Sequence, residues 1–371
     1  MRFSVSSSDL LKQLQIANGA IASNPVLPIL EDFLFTIQDN VLTISASDLE
    51  TRIAIKLDVM SDSDGEVAIP AKILLETLKA LPIQPITIAV DMENHGVELT
   101  STYGKYRLAG EPGEDFPSYE DPMTLHQINI PASTLLGGIS KTIFATSNDE
   151  LRAAITGVFF QFMEGNITFV ATDAHKLVKY TFDNIKGDVM SSFIMPKKAL
   201  NLLKNSLHTQ NDVEVSFDKT NAYFTFENVR LSCRLLDYKY PDFNSVIPTE
   251  NPFSLTISRA DLLSSLKRII IYSNKTSNQV LLNLHEGGVT ISAQDFDFSN
   301  EAMEQMAGNY QGDPLTVSFN AKFLIEMLGV IESEEVILYL SKPSRAGILK
   351  PVHQPEGEDL MMLVMPIVLN S

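Results

Sequence analysis

Val41-Leu42-Thr43-Ile44-Ser45-Ala46-Ser47-Asp48 is a short alternating run that ends on an aspartate, and the chain contains it three times. It returns as Ile167-Thr168-Phe169-Val170-Ala171-Thr172-Asp173 and as Val289-Thr290-Ile291-Ser292-Ala293-Gln294-Asp295, at spacings of 125 and 122 residues. Alternation with period two marks a half-buried strand, and the aspartate marks the turn after it. A second beat keeps the same period. Ile69-Pro70-Ala71-Lys72-Ile73-Leu74-Leu75 reappears as Met195-Pro196-Lys197-Lys198-Ala199-Leu200 and as Phe319-Asn320-Ala321-Lys322-Phe323-Leu324, at spacings of 126 and 124. Solenoid units span only about 20–50 residues, so these repeats are domains.

Each unit has the same grammar: an opening strand, an amphipathic helix, several strands, a second helix, then more strands. In the first unit Phe3-Ser4-Val5 precedes Leu10, Leu11, Leu14 and Ala17 at helical spacing, with Ser8 or Asp9 as the expected cap. Ile128-Asn129-Ile130 and Phe253 to Ile257 open the second and third units. Helices are expected over 8–22, 71–80, 132–144, 196–206, 258–272 and 320–330. Alternating segments such as Thr51 to Leu57 and Val213 to Phe217 fill the remainder as strands. The expected fold class is α+β: three tandem domains at 1–120, 128–244 and 252–371, each with two helices over largely antiparallel sheets. Polar, proline-containing joins fall near Tyr119-Glu120-Asp121-Pro122 and Ile247-Pro248-Thr249-Glu250-Asn251-Pro252.

Composition sets further bounds. The 371 residues are 44% apolar, enough for cores in two or three domains at roughly 100–200 residues each. The start, Met1-Arg2-Phe3-Ser4-Val5, lacks the basic and apolar regions of a signal peptide, and no apolar run approaches membrane-spanning length. Cys233 is the single cysteine, which excludes an internal disulfide and fits a reducing compartment. These features read as a soluble cytoplasmic protein, and the sequons at Asn166 and Asn274 as chance matches. With 28 Lys+Arg against 46 Asp+Glu the formal charge is −18, which at first sight argues against a polyanionic partner.

Catalytic signatures are missing. There is no glycine-rich phosphate loop and no His-Glu-x-x-His helix, and the six histidines never gather at ligand spacing, so neither metal nor cofactor is expected. Ser264-Ser265-Leu266-Lys267 matches Ser-x-x-Lys but lacks its companion motifs. Asp48, Asp173 and Asp295 occupy equivalent positions of separate domains, where a turn-capping role is favoured over a carboxylate cluster. His175, in Thr172-Asp173-Ala174-His175-Lys176-Leu177, reads as a surface turn rather than a base, since no nucleophile is signalled nearby.

The expected helices carry a different charge from the whole. Their basic residues are Lys12, Lys72, Lys79, Lys141, Lys197, Lys198, Lys204, Arg259, Lys267, Arg268 and Lys322, and their acids are Asp9, Glu76, Asp261 and Glu326. Eleven against four is +7, which leaves −25 elsewhere. Helices that share one surface facing a polyanion would explain the split.

Three α+β repeats with basic helices resemble the bacterial DNA polymerase III beta subunit family, the DNA sliding clamps. The similarity runs the length of the chain, through Leu27-Pro28-Ile29-Leu30, Ser47-Asp48-Leu49-Glu50, Asp115-Phe116-Pro117, Val170 to Leu177, Tyr240-Pro241-Asp242-Phe243, Phe319-Asn320 and Val364-Met365-Pro366-Ile367. The resemblance implies a non-catalytic processivity factor: a head-to-tail homodimer whose helices line a hole around duplex DNA and whose sheets form the outer wall. Helix dimensions favour two chains. Helices about 10 Å wide, six in a circle, leave an opening of ~9 Å, whereas twelve leave about 28 Å. The first cannot pass a duplex whose major groove alone is about 12 Å wide. The helix cations, with Arg152, would then face phosphates without reading bases.

The resemblance also implies a pocket between the second and third domains for apolar peptides of the replicative polymerase alpha subunit, the clamp loader and repair proteins. The matching positions are Ile155, Thr172, His175, Lys176, Leu177, Pro241, Val246, Asn320, Phe323, Leu363, Val364, Met365, Pro366, Ile367 and Leu369. Aliphatic groups and methionine suit an adaptable apolar lining. At the dimer seam it implies Lys105, Arg107 and Leu108 of one chain against Ile271, Tyr272, Glu301 and Glu304 of the other. Ala153 and Ala154 stand where aromatic residues are common in the family, and Asn24, Ser245 and Val368 where arginine is common.

Overall fold

The computed structural model describes residues 1–22, 24–118, 126–183, 185, 190–208 and 210–368. The first join, near Tyr119, and the terminal Leu369 lie outside the described residues. Six α-helices occur among the described residues: α1 (Ser7–Ala17), α2 (Ala71–Ala80), α3 (Ala132–Thr142), α4 (Lys197–Ser206), α5 (Arg259–Ile269) and α6 (Ala321–Val330). The first of each pair follows the opening strand of a repeat, Arg2–Ser6, His126–Pro131 or Phe253–Ser258. The second follows the strands Gly65–Pro70, Ser191–Pro196 and Leu315–Asn320, so the second sequence beat is a strand-to-helix junction.

Helix ends differ from expectation at α1. It starts at Ser7 with Ser6 as its cap residue and no side-chain cap, while the Ser6 and Ser8 hydroxyls bond to each other at 2.9 Å. It ends at Ala17, and Asn18–Ala20 forms a 3-10 turn in place of the expected helix to residue 22. A Cβ added at Gly19 would sit 2.7 Å from Leu202 Cδ1, so a larger residue in this turn would require the Leu202 side chain of α4 to shift. Similarly, α3 lies on the strand Asn166–Thr172 at Gly138, where a Cβ would fall 2.5 Å from the Phe169 ring. In α5 and α6 the caps are side chains: Ser258 accepts from the Asp261 amide at 3.3 Å and Asn320 from the Lys322 amide at 2.9 Å.

Packing divides the chain into two compact units. The first joins Met1–Ser133 to Lys198–Leu235. It holds a five-stranded sheet in the spatial order Met60–Ser63, Arg2–Ser6, Pro85–Val90, Gly96–Thr100, Lys105–Ala109. Its nine-stranded sheet runs Glu111–Pro112, Gly65–Pro70, Asp32–Gln38, Val41–Ser47, Thr51–Asp58, Val229–Arg234, Asn221–Phe226, Asp212–Phe217, His126–Pro131. Leu10, Leu14 and Ala17 of α1 and Leu74, Leu75 and Leu78 of α2 are buried with Phe33, Phe35, Ile44 and Ile53 in the core.

The second unit joins Thr134–Lys197 to Leu236–Ser371. Its nine-stranded sheet runs Ser191–Pro196, Gly157–Met163, Asn166–Thr172, Lys176–Asp183, Glu358–Val364, Gly347–Pro351, Glu335–Leu340, Phe253–Ser258, Asn309–Gln311. Its four-stranded sheet runs Asn300–Ala307, Gly288–Asp295, Gln279–His285, Leu315–Asn320. Leu262, Leu266 and Ile269 of α5 and Leu324, Met327 and Leu328 of α6 fill the core beside it. Every strand pairing among the described residues is antiparallel.

One strand pair in each unit joins two repeats. Thr51–Asp58 of the first repeat pairs with Val229–Arg234 of the second, Ile53 opposite Leu231. Lys176–Asp183 of the second pairs with Glu358–Val364 of the third, Leu177 opposite Leu363. The equivalent strand of the third repeat, Asn300–Ala307, pairs only with Gly288–Asp295 and leaves its other side open among the described residues. Lys105–Ala109, the first-repeat equivalent of Val229–Arg234 and Glu358–Val364, is likewise an open sheet edge among the described residues.

Candidate functional site

The aspartate of the first beat builds a turn in all three repeats. Asp48 Oδ1 accepts from the Glu50 and Thr51 amides at 3.0 and 2.6 Å, and Asp173 Oδ1 from the His175 and Lys176 amides at 2.9 Å each. Asp295 accepts from the Asp297 amide at 3.1 Å. In the first two repeats the next residue, Leu49 or Ala174, takes a left-handed conformation with φ of 78° or 75°. The second Asp173 oxygen holds Lys176 Nζ at 2.7 Å, so this carboxylate serves the turn and the lysine rather than the His175 ring.

That turn borders a cavity of about 870 Å³ in the second unit. Ile155, Thr172, Leu177 and Leu363 are buried and form its floor, while Met365, His175, Pro241 and Val246 stand exposed at its rim. Beneath lies an aromatic layer in which Phe159 stacks on Tyr240 with centroids 4.7 Å apart, beside Phe243. Burial pushes the Tyr240 hydroxyl well above its usual range. The main chain past the closing strand is tied down, Met365 N to His175 O and Ile367 N to Ser318 O, both at 2.8 Å.

Lys176 contributes backbone and alkyl surface, but its charge is spent. Its ammonium is buried between Asp173 and Glu326 of α6, the latter at 3.2 Å, and lies 4.3 Å from the Phe323 ring centroid. Phe323 also stacks against His175, with centroids at 6.2 Å. Of the remaining expected positions, Val364 is buried and Asn320 caps α6, so these two, with Phe323, Pro366 and Ile367, lie outside the cavity lining. The second join does more than connect: Val246 to Thr249 line the cavity, with Asp242, Ser344, Arg345 and Ala346. Ile247, Pro248 and Thr249 had only the signal of a proline-containing join, which reads as a linker, and Ser344, Arg345 and Ala346 had none.

The helix cations divide in two. Lys12, Lys72, Lys79, Lys204, Lys267 and Lys322 are exposed and make no ion pair among the described residues. Lys12 and Lys198 border a groove of about 590 Å³ between α1 and α4 with Gln15, Asn201, Asn205 and His208. Lys198, however, pairs with Asp48 and donates to the Ala20 carbonyl at 3.0 Å. Lys141 is mostly buried against the Tyr180 ring at 5.0 Å and its hydroxyl at 3.3 Å, while that hydroxyl donates to Glu358. Arg259 donates to the Ser333 and Leu328 carbonyls at 3.1 Å each, which satisfies the end of α6. Lys197 reaches the Asn148 amide oxygen at 3.2 Å, and Arg152 pairs with Asp149 at 2.9 Å.

At the open edges, Lys105 and Arg107 both bind Glu98, at 2.7 and 3.2 Å, and hold its carboxyl below the usual range. Glu304 forms a bidentate pair with Arg268 at 2.6 and 2.8 Å, which lowers its own pKa and raises that of Arg268. Leu108 turns into its own core. Ile271, Tyr272 and Glu301 are exposed, and the sequence reading missed their neighbours Phe296, Phe298 and Met303, exposed at 82%, 73% and 68%. No group of three or more metal-ligating side chains occurs among the described residues.

Three α+β repeats joined through antiparallel strand pairs, with an apolar cavity at one junction, define a clamp-type scaffold rather than an enzyme fold. The DNA polymerase III beta subunit family matches in three parts: its N-terminal domain over residues 1–120, its central domain over 129–242 and its C-terminal domain over 244–367. The chain belongs to that family, whose members are sliding clamps, non-catalytic processivity factors. It is 26% identical over 371 residues to the beta sliding clamp of Vibrio cholerae, with both chains fully covered. Identity is 29% over 366 residues to that of Haemophilus influenzae, covering 98% and 99% of the two chains. Solved clamps of Pseudomonas aeruginosa and Bartonella birtlesii, each bound to griselimycin, superpose over the full length of both chains with TM-scores of 0.94 at 27% and 26% identity.

Proposed function

We propose that two copies of this chain join head to tail into a ring around duplex DNA, and that the ring tethers the replicative polymerase. The carrying observation is the pair of open strands. Each junction between successive repeats is an antiparallel strand pair, and among the described residues Asn300–Ala307 and Lys105–Ala109 are the two equivalents of those junction strands that lack such a partner. Pairing one with the other of a second copy gives every repeat the same neighbour relation and closes two chains, the expected form for a repeated interface. Lys105, Arg107, Leu108, Ile271, Tyr272, Glu301 and Glu304 belong to this seam in the reading. Lys105, Arg107 and Glu304 must exchange internal partners for external ones, so sheet extension and the exposed apolar side chains supply its stability.

In this reading the three clamp domains are 1–120, 128–244 and 252–371. The exposed helix lysines face DNA and hold phosphates without reading bases, while the strongly acidic remainder repels DNA from other surfaces. The cavity above Phe159 and Tyr240 takes short apolar peptides of the polymerase alpha subunit, the clamp loader and repair proteins, which the griselimycin-bound relatives support. The protein works in the cytoplasm; no described helix is long and apolar enough to cross a membrane. The test is retention on circular DNA after loading. Linearising the circle should release the protein, and retention on the linear product would refute the ring.

A further inference from the structure

Two stretches far apart in sequence wall the cavity: the join, through Val246 to Thr249, and the turn between the strands Glu335–Leu340 and Gly347–Pro351, through Ser344, Arg345 and Ala346. From Ile247 to Thr249 and from Ser344 to Ala346 the chain is neither helix nor strand, so no ladder of backbone bonds fixes it. Ile247 and Ala346 nevertheless pack on the same buried cluster as the floor residues Ile155, Leu177 and Leu363. One side chain links the two stretches. Asn251, two residues past Thr249, donates from Nδ2 to the Tyr339 carbonyl at 3.2 Å and to the Ala346 carbonyl at 3.0 Å, one on the outgoing and one on the returning side of the hairpin. Both partners only accept, which fixes the nitrogen on that side of the amide. Its Oδ1 is buried without a hydrogen-bond partner among the described residues. A buried orphan acceptor costs stability and offsets much of what the two bonds contribute, so the chief effect of this residue is on geometry.

We infer that Asn251 is a positioning residue of the cavity: it locks the hairpin turn to the join, so that both walls stand formed before a ligand arrives. This inference rests on the peptide-binding reading of the cavity and adds to it a residue outside the lining, which acts through Ala346 rather than on the peptide. A primary carboxamide carries two N–H donors on one nitrogen, and bridging the carbonyls of Tyr339 and Ala346 uses both. An apolar side chain of the same volume fills the space and supplies neither donor. Without the bridge the turn samples positions in which Ala346 leaves its seat on the buried cluster. A peptide then binds only the fraction of molecules whose two walls are in place, and its apparent affinity falls by that fraction.

The test compares the full-length parent with Asn251→Leu, which is nearly isosteric, and Asn251→Ala, which removes bulk as well as donors. A fluorescein-labelled peptide with two leucine anchors is followed by equilibrium and stopped-flow anisotropy, and hydrogen exchange is read over residues 335–351. Both variants should bind the peptide about three- to tenfold more weakly, mainly through slower association with dissociation little changed. In the free variants the hairpin amides should exchange faster than in the parent, and saturating peptide should restore parent-like protection, while the melting temperature stays near that of the parent. Parent-like affinity and exchange in both variants would overturn the inference and leave the pocket intact. A melting temperature that falls together with affinity would make Asn251 a residue of the fold as a whole and overturn it equally. Failure of the parent to bind the peptide would overturn the pocket reading, and hairpin exchange would still report whether Asn251 holds the wall.

Discussion

Asp32 opens the strand Asp32–Gln38 as a buried carboxyl, a position the sequence does not distinguish from its exposed neighbour Glu31. Burial first, and then the charges of Glu111 and Glu31, push its pKa up to about 7. The folded chain therefore holds this proton more tightly than the unfolded one. The resulting stabilisation is complete below the ordinary carboxyl value and is lost as pH rises through about 7. Asp32→Asn should exceed the parent in stability at pH 8 by on the order of 1–3 kcal/mol, with the advantage shrinking toward pH 4. Urea unfolding across that range measures it, and a pH-independent offset would contradict the assignment. The turn aspartates contrast with Asp32, because their bonds reach only two or three residues ahead and the sequence announces them. Lys176 shows the limit of such reading: the resemblance marks it as a pocket position, but nothing in the sequence pairs it with Glu326, which comes to it from 150 positions away.

At the scale of elements, helix positions follow from apolar spacing, and the net charge of the six observed helices remains eleven basic residues against four acidic. What spacing cannot say is which cations are already engaged. Arg259→Ala should lower stability by about 1–2 kcal/mol, because it strips two carbonyls of a donor, one of them at the end of α6. Replacing Lys12 and Lys267 by Glu should leave stability within about 0.5 kcal/mol, since both are exposed surface positions, yet weaken retention on DNA. Thermal melts and DNA retention on the same variants separate the two groups. Equal destabilisation by both sets would remove the distinction between engaged and exposed cations.

For the whole molecule, the two junction-type strands without a partner, Asn300–Ala307 and Lys105–Ala109, predict self-association. Ile271→Glu puts a charge on an apolar side chain that is 61% exposed beside the Asn300–Ala307 edge, where it should cost the monomer little and disfavour the seam. Light scattering should report a dimer for the parent and a 41.1 kDa monomer for the variant at micromolar concentration, with equal circular dichroism. A parent that stays monomeric would refute the ring, and an unaffected dimer would move the seam elsewhere. The sequence by itself determined the three repeats, the strand-helix grammar and the turn aspartates, because each is a local pattern of propensity and period within a few residues. Only the tertiary structure decided which strands join successive repeats, which two junction-type strands lack such a partner, and which cations make no ion pair among the described residues. Those outcomes depend on partners such as Lys198 with Asp48, 150 residues apart, and Tyr180 with Glu358, 178 apart, whose meeting no local pattern encodes.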